Sequence, residues 1–299
     1  MDVSVIIVNY NTKKLTKNCI DSIFQNTKDV KFEVILVDNA STDGSKEFFE
    51  QDNRIKYIYS TTNLGFGKAN NLGYKEASGK YLFLLNSDTL LLNNAIDLFY
   101  VIAEKDTNKN IGCWGTMLYD SNGKIADSYG KFLSMWRDLF IQLFLVPLSV
   151  ITKKPLSAFV NEYNYKSTDG IVDFISGADI FMKKSVADEY GLFDPHFFLY
   201  CEETDMQRKY YQHKVYSKIE TIPQIAHLQG GSQSGKRNRG MDLIKLKSKM
   251  YYFRKWNSPF YLYLYLILLT PFKFLSLCAS KTDNEYRRNY FKIMWSKGN

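Results

Sequence analysis

Cysteine is scarce and scattered in this chain. Four residues in 299, Cys19, Cys113, Cys201 and Cys278, form no Cys-x-x-Cys pair, which argues against a disulfide framework or a zinc knuckle and makes a reducing compartment the default. No Gly-x-Gly-x-x-Gly follows the first apolar run, so the usual dinucleotide grip is not expected. Gly65-Phe66-Gly67 lacks the Lys-Ser/Thr ending of a phosphate-binding P-loop. No DNA- or RNA-binding motif is found, so nucleic acid is not an expected partner. The first residues, MDVSVIIVNYN, offer neither a basic start nor a cleavage site and read as a strand rather than a signal peptide.

What is present is a globular composition. Hydrophobic residues make up 45% and charged residues 23%, enough for a real core in one large domain or two small ones. Aromatics reach 16%, and aromatic-rich surfaces often meet sugars, bases or membrane interfaces. The net charge of +8 is unevenly placed: residues 231–299 hold 14 Lys/Arg against 3 Asp/Glu, and the first 230 hold 25 against 28. A basic C-terminal quarter suits phosphate-bearing ligands or an anionic membrane face.

Apolar runs at Val3–Val8, Phe32–Val37, Ile55–Tyr59 and Tyr81–Leu85 read as strands. Helical spacing follows the first run, Ser/Thr/Asp capping chemistry opens a helix in STDGSKEFFE, and Gly79 stands where a helix should stop. Alternating strands and helices with near-continuous apolar strands predict a parallel sheet covered on both faces. In such sheets ligands bind beyond the carboxyl ends of the strands. Asn9-Tyr10-Asn11, Asp38-Asn39 and Asn86-Ser87-Asp88 all fall at such ends. One polar cluster after an apolar strand is a turn; three along one edge propose a nucleotide-sized site. Lys131–Ile151 reads as an inserted helix over that site, FISGADIFM as a strand pair around a glycine, and Ile225–Gly240 as a mobile, glycine-rich basic loop. His196 and His213 read as structural.

The landmarks VSVIIVNYN, VILVDNASTDGS, NLGFGKANNLG, LLNSDT, SGADIFM, GLFDPHFFLYCEETDMQRK and HLQGGS, in this order, resemble the inverting family 2 glycosyltransferases of the GT-A fold, in particular the bacterial rhamnosyltransferase-like branch. The resemblance covers residues 3–256. It implies an α/β fold with a mostly parallel central sheet and flanking helices. Residues 1–240 would form the transferase domain, with a nucleotide-binding half over 1–115 and an acceptor-binding half over 116–240. Residues 241–299 would be a basic, aromatic helical extension.

The resemblance also implies roles. Val8, Asn9, Tyr10 and Asp38 match positions that hold the nucleoside base and ribose, and a carboxylate suits donors of that kind. Asn71 and Gly73 match an element near the donor phosphates or sugar, although Asn70 stands where many relatives have Arg. Asn86-Ser87-Asp88 matches the metal-binding Asp-x-Asp position with Asn in place of the first acid, leaving Asp88 as the direct ligand of Mn²⁺ or Mg²⁺. His227 matches a residue that completes the metal shell and tilts the choice toward Mn²⁺. Glu203 matches the general base, with Glu202 the second candidate. Lys236, Arg237 and Arg239 are either a flexible basic loop or a closure over the donor diphosphate.

Pro259–Ala279 carries an apolar stretch, Phe260–Phe272 apart from Thr270, that is short of the ~20 residues of a membrane span. Its basic, aromatic borders favour peripheral attachment at an interface. The expected function is transfer of a sugar from a UDP- or dTDP-sugar, with dTDP-rhamnose the leading suggestion by resemblance, to a glycan or lipid-linked acceptor. The setting would be bacterial cell-surface polysaccharide synthesis, in the cytoplasm at the inner membrane. A non-catalytic nucleotide- or glycan-binding scaffold is the alternative. A processive synthase is disfavoured, since Tyr252-Phe253-Arg254-Lys255-Trp256 replaces its Gln-x-x-Arg-Trp element.

Overall fold

The four expected apolar runs form one half of the central sheet. They are β1 (Val3–Asn9), β2 (Phe32–Asn39), β3 (Lys56–Ser60) and β4 (Tyr81–Asn86), parallel and ordered β3-β2-β1-β4. The polar ends stay in the ladder, so Asn9 lies beside Asp38 and Val8 beside Asn86. In the computed structural model the described residues are 1–156, 169–228, 239–280 and 282–296.

Helices α1 (Lys13–Asn26), α2 (Ser45–Phe49) and α3 (Phe66–Tyr74) connect these strands. Alternate strand residues serve opposite cores. Val5, Ile7 and Leu36 meet Cys19, Ile20 and Ile23 of α1 on one face. Ile6, Ile35 and Leu84 meet a second cluster on the other face. Burial of both faces explains the near-continuous apolar runs. The capping expected in STDGSKEFFE is shifted: Gly44 holds the cap position of α2, and Asp43 accepts from Ser45 N at 3.2 Å and from Lys13 N of α1 at 2.9 Å.

Beyond β4 the sheet is mixed. β5 (Thr89–Leu91), α4 (Ala95–Lys105), β6 (Ile111–Tyr119), β7 (Tyr129–Gly130), β8 (Gly170–Val172), β9 (Phe174–Ile175) and β10 (Asp179–Lys183) follow in chain order. Then come α7 (Lys184–Tyr190), α8 (Glu202–Gln212) and β11 (Tyr216–His227). β10 inserts antiparallel between β4 and β6, and β11 runs parallel to β6 and antiparallel to β5. Ile225, Ala226 and His227, expected in a loop, are the end of β11. Pro223 and two register shifts break the alternation that would have marked this strand.

Two glycines have packing reasons. α3 ends at Tyr74, so Gly79 is not its stop; a Cβ at Gly79 would sit 2.5 Å from Ser4 N. A Cβ at Gly73 would sit 2.6 Å from Ile6 Cγ2, so the glycine lets α3 approach β1.

By compactness the chain falls into two units, and two internal segments group with the C-terminal residues. One comprises Met1–Lys131, Tyr165–Phe198 and Glu202–Lys236, and contains the sheet. The other comprises Phe132–Asn164, Leu199–Cys201 and Arg237–Asn299. In it, α5 (Met135–Phe140), a π-helical turn (Ile141–Leu145) and α6 (Val146–Thr152) join α9 (Arg239–Trp256), α10 (Pro259–Ala279) and α11 (Asn284–Trp295). Asp138 of α5 ties three of these helices: it meets Lys249 Nζ of α9 at 3.0 Å and accepts from Tyr265 OH of α10 at 2.5 Å. The apolar stretch expected to be short is helical through Thr270 and Pro271, giving α10 21 residues.

Replacing Gly73 with Ala should cost about 1–3 kcal/mol of stability, because the new methyl meets a branched core side chain. Thermal denaturation checks it; an unchanged melting temperature would mean that α3 shifts freely on β1.

Candidate functional site

The carboxyl edge of the parallel strands is tied together by Asn9. Its side chain is fully buried, donates to Ser41 Oγ at 3.0 Å, and accepts from Thr12 Oγ1 at 2.8 Å and Thr16 Oγ1 at 2.9 Å. Thr12 Oγ1 also lies 3.0 Å from Ser87 Oγ, which joins the β1 end to the turn after β4. The neighbours differ: Tyr10 is exposed and Val8 half-buried, so the ring of Tyr10 is open to a ligand while Asn9 is occupied by the protein. Asp38 is fully buried, accepting from Ser41 N at 2.9 Å and from Tyr57 OH at 2.9 Å. Burial, then the Asp38 carboxylate, push the Tyr57 hydroxyl up, so it stays a donor.

Asn39 has a role that its sequence position did not announce. It accepts from Leu64 N at 2.8 Å and donates to Asn63 Oδ1 at 2.9 Å, holding the loop that enters α3. Asn71 and Gly73, expected near the donor, both have protein partners. Asn71 donates to Phe193 O at 2.8 Å and accepts from Phe193 N at 3.1 Å, which uses both ends of its amide, and Gly73 packs on Ile6.

The turn after β4 places Asp88 against β11. Asp88 Oδ1 and His227 Nε2 are 3.2 Å apart. Leu228 N donates to Asp88 O at 2.9 Å, and His227 pairs with Thr89 in the ladder. Cys19 lies beneath this corner, 3.6 Å from Asn86 O; burial pushes its thiol up to about 12, so it is neutral and a poor ligand. His227 Nδ1 is buried without a partner among the described residues. No group of three or more His, Cys, Asp or Glu side chains is found among the described residues, so Asp88 and His227 alone form an incomplete cage. They fit a hard divalent cation whose remaining ligands are substrate phosphate oxygens and water.

The acidic cluster opens α8. Glu202 is buried and its Oε2 has no partner among the described residues; Glu203 is half-buried and accepts from Thr204 Oγ1 at 3.2 Å. Burial, then the neighbouring Glu203 charge, raise the Glu202 carboxyl well above the usual range, and burial raises Glu203. Tyr200 and Cys201, just before the helix, both have left-handed φ angles, 72° and 68°. Gln207, one turn after Glu203, locks α8 to the sheet: it accepts from Ile175 N at 2.8 Å and Ser217 Oγ at 2.7 Å, and donates to Ile175 O at 2.9 Å. Gly177 and Ala178 touch both acidic regions. A Cβ at Gly177 would be 3.8 Å from Glu203 Cγ, and its neighbour Ala178 accepts from Asn86 N at 3.0 Å.

Asp179 was not expected at all. It is fully buried, one oxygen accepts from Thr116 N at 2.7 Å, and the other has no partner among the described residues. Burial holds its carboxyl well above the usual range. His196 lies on the surface 2.8 Å from Asp194, and His213 stacks on Tyr190, with ring centroids 4.3 Å apart. Lys236 and Arg237 lie outside the described residues.

A family model, glycosyl transferase family 2, matches residues 4–191. Glycosyltransferase GlyG of Streptococcus pneumoniae is 36% identical over 115 residues, 37% of this chain and 38% of that protein. The putative glycosyltransferase EpsH of Bacillus subtilis is 29% identical over 130 residues, 42% of this chain and 37% of that protein. The chain thus spans well under half the length of these curated relatives. Among solved structures, Staphylococcus aureus TarS 1-349 in complex with UDP-GlcNAc has a TM-score of 0.57 at 15% identity, covering 98% of this chain and 79% of that one. GalNAc-T7 with UDP, GalNAc and Mn²⁺ has a TM-score of 0.59 at 15% identity, covering 99% of this chain and 56% of that one. At that identity the likeness is one of fold.

The Asp179 carboxyl gives a pH signature. Its proton is held more tightly folded than unfolded, where a carboxylate titrates near about 3.9, so its contribution is complete below that pH and is lost as pH rises toward the folded value. The Asp179→Asn protein should melt higher than the unaltered chain at pH 8, with the gap shrinking toward pH 4. A pH-independent gap in differential scanning fluorimetry would mean that Asp179 is ionised in the fold.

Proposed function

The chain belongs to glycosyl transferase family 2, and from that premise we propose that it moves a sugar from a UDP- or dTDP-linked donor to an acceptor hydroxyl, with inversion. The observation that carries the reading is the 3.2 Å meeting of Asp88 with His227 beside the ends of β1, β2 and β4. A uridine donor is the first to test, because the TarS and GalNAc-T7 structures are complexes with UDP-GlcNAc and with UDP and Mn²⁺. dTDP-rhamnose follows from the sequence resemblance.

Each residue then has a task. Tyr10 offers an exposed ring at the β1 end, and Val8, Asn9 and Asp38 shape the base and ribose side of the pocket. Asn86 and Ser87 form the turn that presents Asp88. A bound Mn²⁺ or Mg²⁺ would supply positive charge to the departing diphosphate. Glu203 takes the proton of the acceptor hydroxyl as that oxygen attacks the anomeric carbon; one displacement inverts the centre. Glu202, with its orphaned oxygen, is buried beside Glu203, and burial and the neighbouring charge favour its neutral form. Lys236 and Arg237 are proposed to close on the diphosphate, and Asn71 and Gly73 to support the pocket through their packing. The acceptor is a glycan or a lipid-linked saccharide of a bacterial surface polysaccharide, met at the cytoplasmic face of the membrane through peripheral contact.

With Mn²⁺ and a panel of UDP- and dTDP-sugars, nucleoside diphosphate release should be seen for one donor and be lost in Asp88→Ala. Release from no donor would favour a non-catalytic scaffold. Glu203→Gln should lower kcat by about 10²–10⁴-fold while leaving donor affinity near that of the unaltered chain. Because Glu203 must be ionised to accept the proton and burial raises its pKa, the acid limb of kcat/KM should lie above the ordinary glutamate value of about 4.3. A limb at or below that value would remove Glu203 from the role.

A further inference from the structure

The helical unit carries an apolar face that its own packing leaves open. Along Met135–Thr152, Trp136, Phe140, Phe144, Leu148 and Ile151 recur every three or four residues and point outward; Phe144 is 61% and Ile151 77% exposed. Met135 and Leu139 on the opposite side are buried. α10 repeats the pattern. Phe260 is 72% and Leu275 66% exposed, with Leu264 and Ile267 between them, while Leu262, Tyr265, Leu266 and Leu269 face inward.

The two stripes are one surface. The rings of Trp136 and Tyr261 meet edge to face with centroids 6.1 Å apart. Behind them Asp138 ties α5 to α9 through Lys249 and to α10 through Tyr265. Asp138 is the only acid between residues 135 and 152, it faces inward, and α10 has none. The outward face therefore carries no carboxylate. Cations border it: Lys153 and Lys154 follow α6, and Lys273 lies on α10.

Both helical runs are long and apolar enough to cross a bilayer by length and composition. Crossing would strip α10 from α9 and α5 and bury Asp138 and Lys273 in hydrocarbon. Lying in the interface keeps the inward contacts, sinks the outward aromatics and aliphatics among acyl chains, and leaves the cations at the headgroups. Charge selects the lipid, since residues 231–299 hold 14 basic against 3 acidic side chains.

We propose that α5, α6 and α10 form a single monotopic surface that lies in the interface of an anionic bilayer. That this brings the enzyme to lipid-borne acceptors rests on the function proposed above; the lipid contact itself does not.

Flotation of the full chain with phosphatidylcholine vesicles, with and without a quarter phosphatidylglycerol, tests it. The unaltered chain should float with both and at least tenfold more with the anionic vesicles. Phe144→Ser with Leu275→Ser should lower binding at least tenfold at an unchanged melting temperature, and Lys153→Glu with Lys154→Glu should weaken the anionic preference while keeping the fold. Equal binding by the serine variant overturns the proposal. So does absence of vesicle binding, or an unaltered chain that sediments as a dimer broken by the serine substitutions, since the face would then belong to a second copy. Nucleoside diphosphate release measured without vesicles is a separate readout: its loss with vesicle binding intact would sink the transferase reading and leave the surface standing.

Discussion

The antiparallel pairing of β5 with the last residues of β11 is the constraint on which the site depends. Three residues, Thr89–Leu91, pair with Ile225–His227, and a backbone bond from Leu228 to Asp88 extends the ladder past its end. That short pairing brings a carboxylate from the early half of the chain to an imidazole from the late half, 3.2 Å apart. Neither side chain forms a cation site alone. A shift of one residue would turn His227 to the other face of the sheet. The register is secured from behind, where Leu91 N donates to Ser22 Oγ at 3.1 Å and Asn26 Nδ2 donates to Leu91 O at 3.0 Å, so α1 holds the edge strand.

Four carboxyl groups show how burial sorts their chemistry. Asp38 is enclosed but satisfied on both oxygens, by a backbone amide and the Tyr57 hydroxyl. Asp179 and Glu202 each keep one oxygen without a partner among the described residues, and burial favours their neutral forms. Glu203 accepts from the Thr204 hydroxyl and burial raises its carboxyl, which suits a group that must lose and gain a proton. The surroundings of each carboxyl, rather than its identity, thus set its chemistry.

The parallel half of the fold was legible because its strands are buried on both faces and read as unbroken apolar runs ending in polar triplets. Landmark order gave Asp88, His227 and Glu203, and the structure brings the first two together. Sequence was less informative where packing, not pattern, decides. Gly79 and Gly73 look like a helix stop and a ligand-side glycine, yet each allows a close backbone approach to β1. Nor does the sequence show that the Asn71 amide is matched to the backbone of Phe193. β11 was hidden by Pro223 and its bulges. Asn39, Gln207 and Asp138 hold the loop before α3, the acidic helix and the helical unit, and nothing local in the sequence marks a polar residue as a long-range tie.

The most direct measurement is electron spin-echo envelope modulation of Mn²⁺ bound with UDP to the full chain. Direct ligation by His227 predicts nitrogen modulation that changes isotope pattern on labelling histidine with ¹⁵N and vanishes in His227→Ala. Mn²⁺ bound with UDP but showing no histidine nitrogen coupling would contradict a cation held between Asp88 and His227.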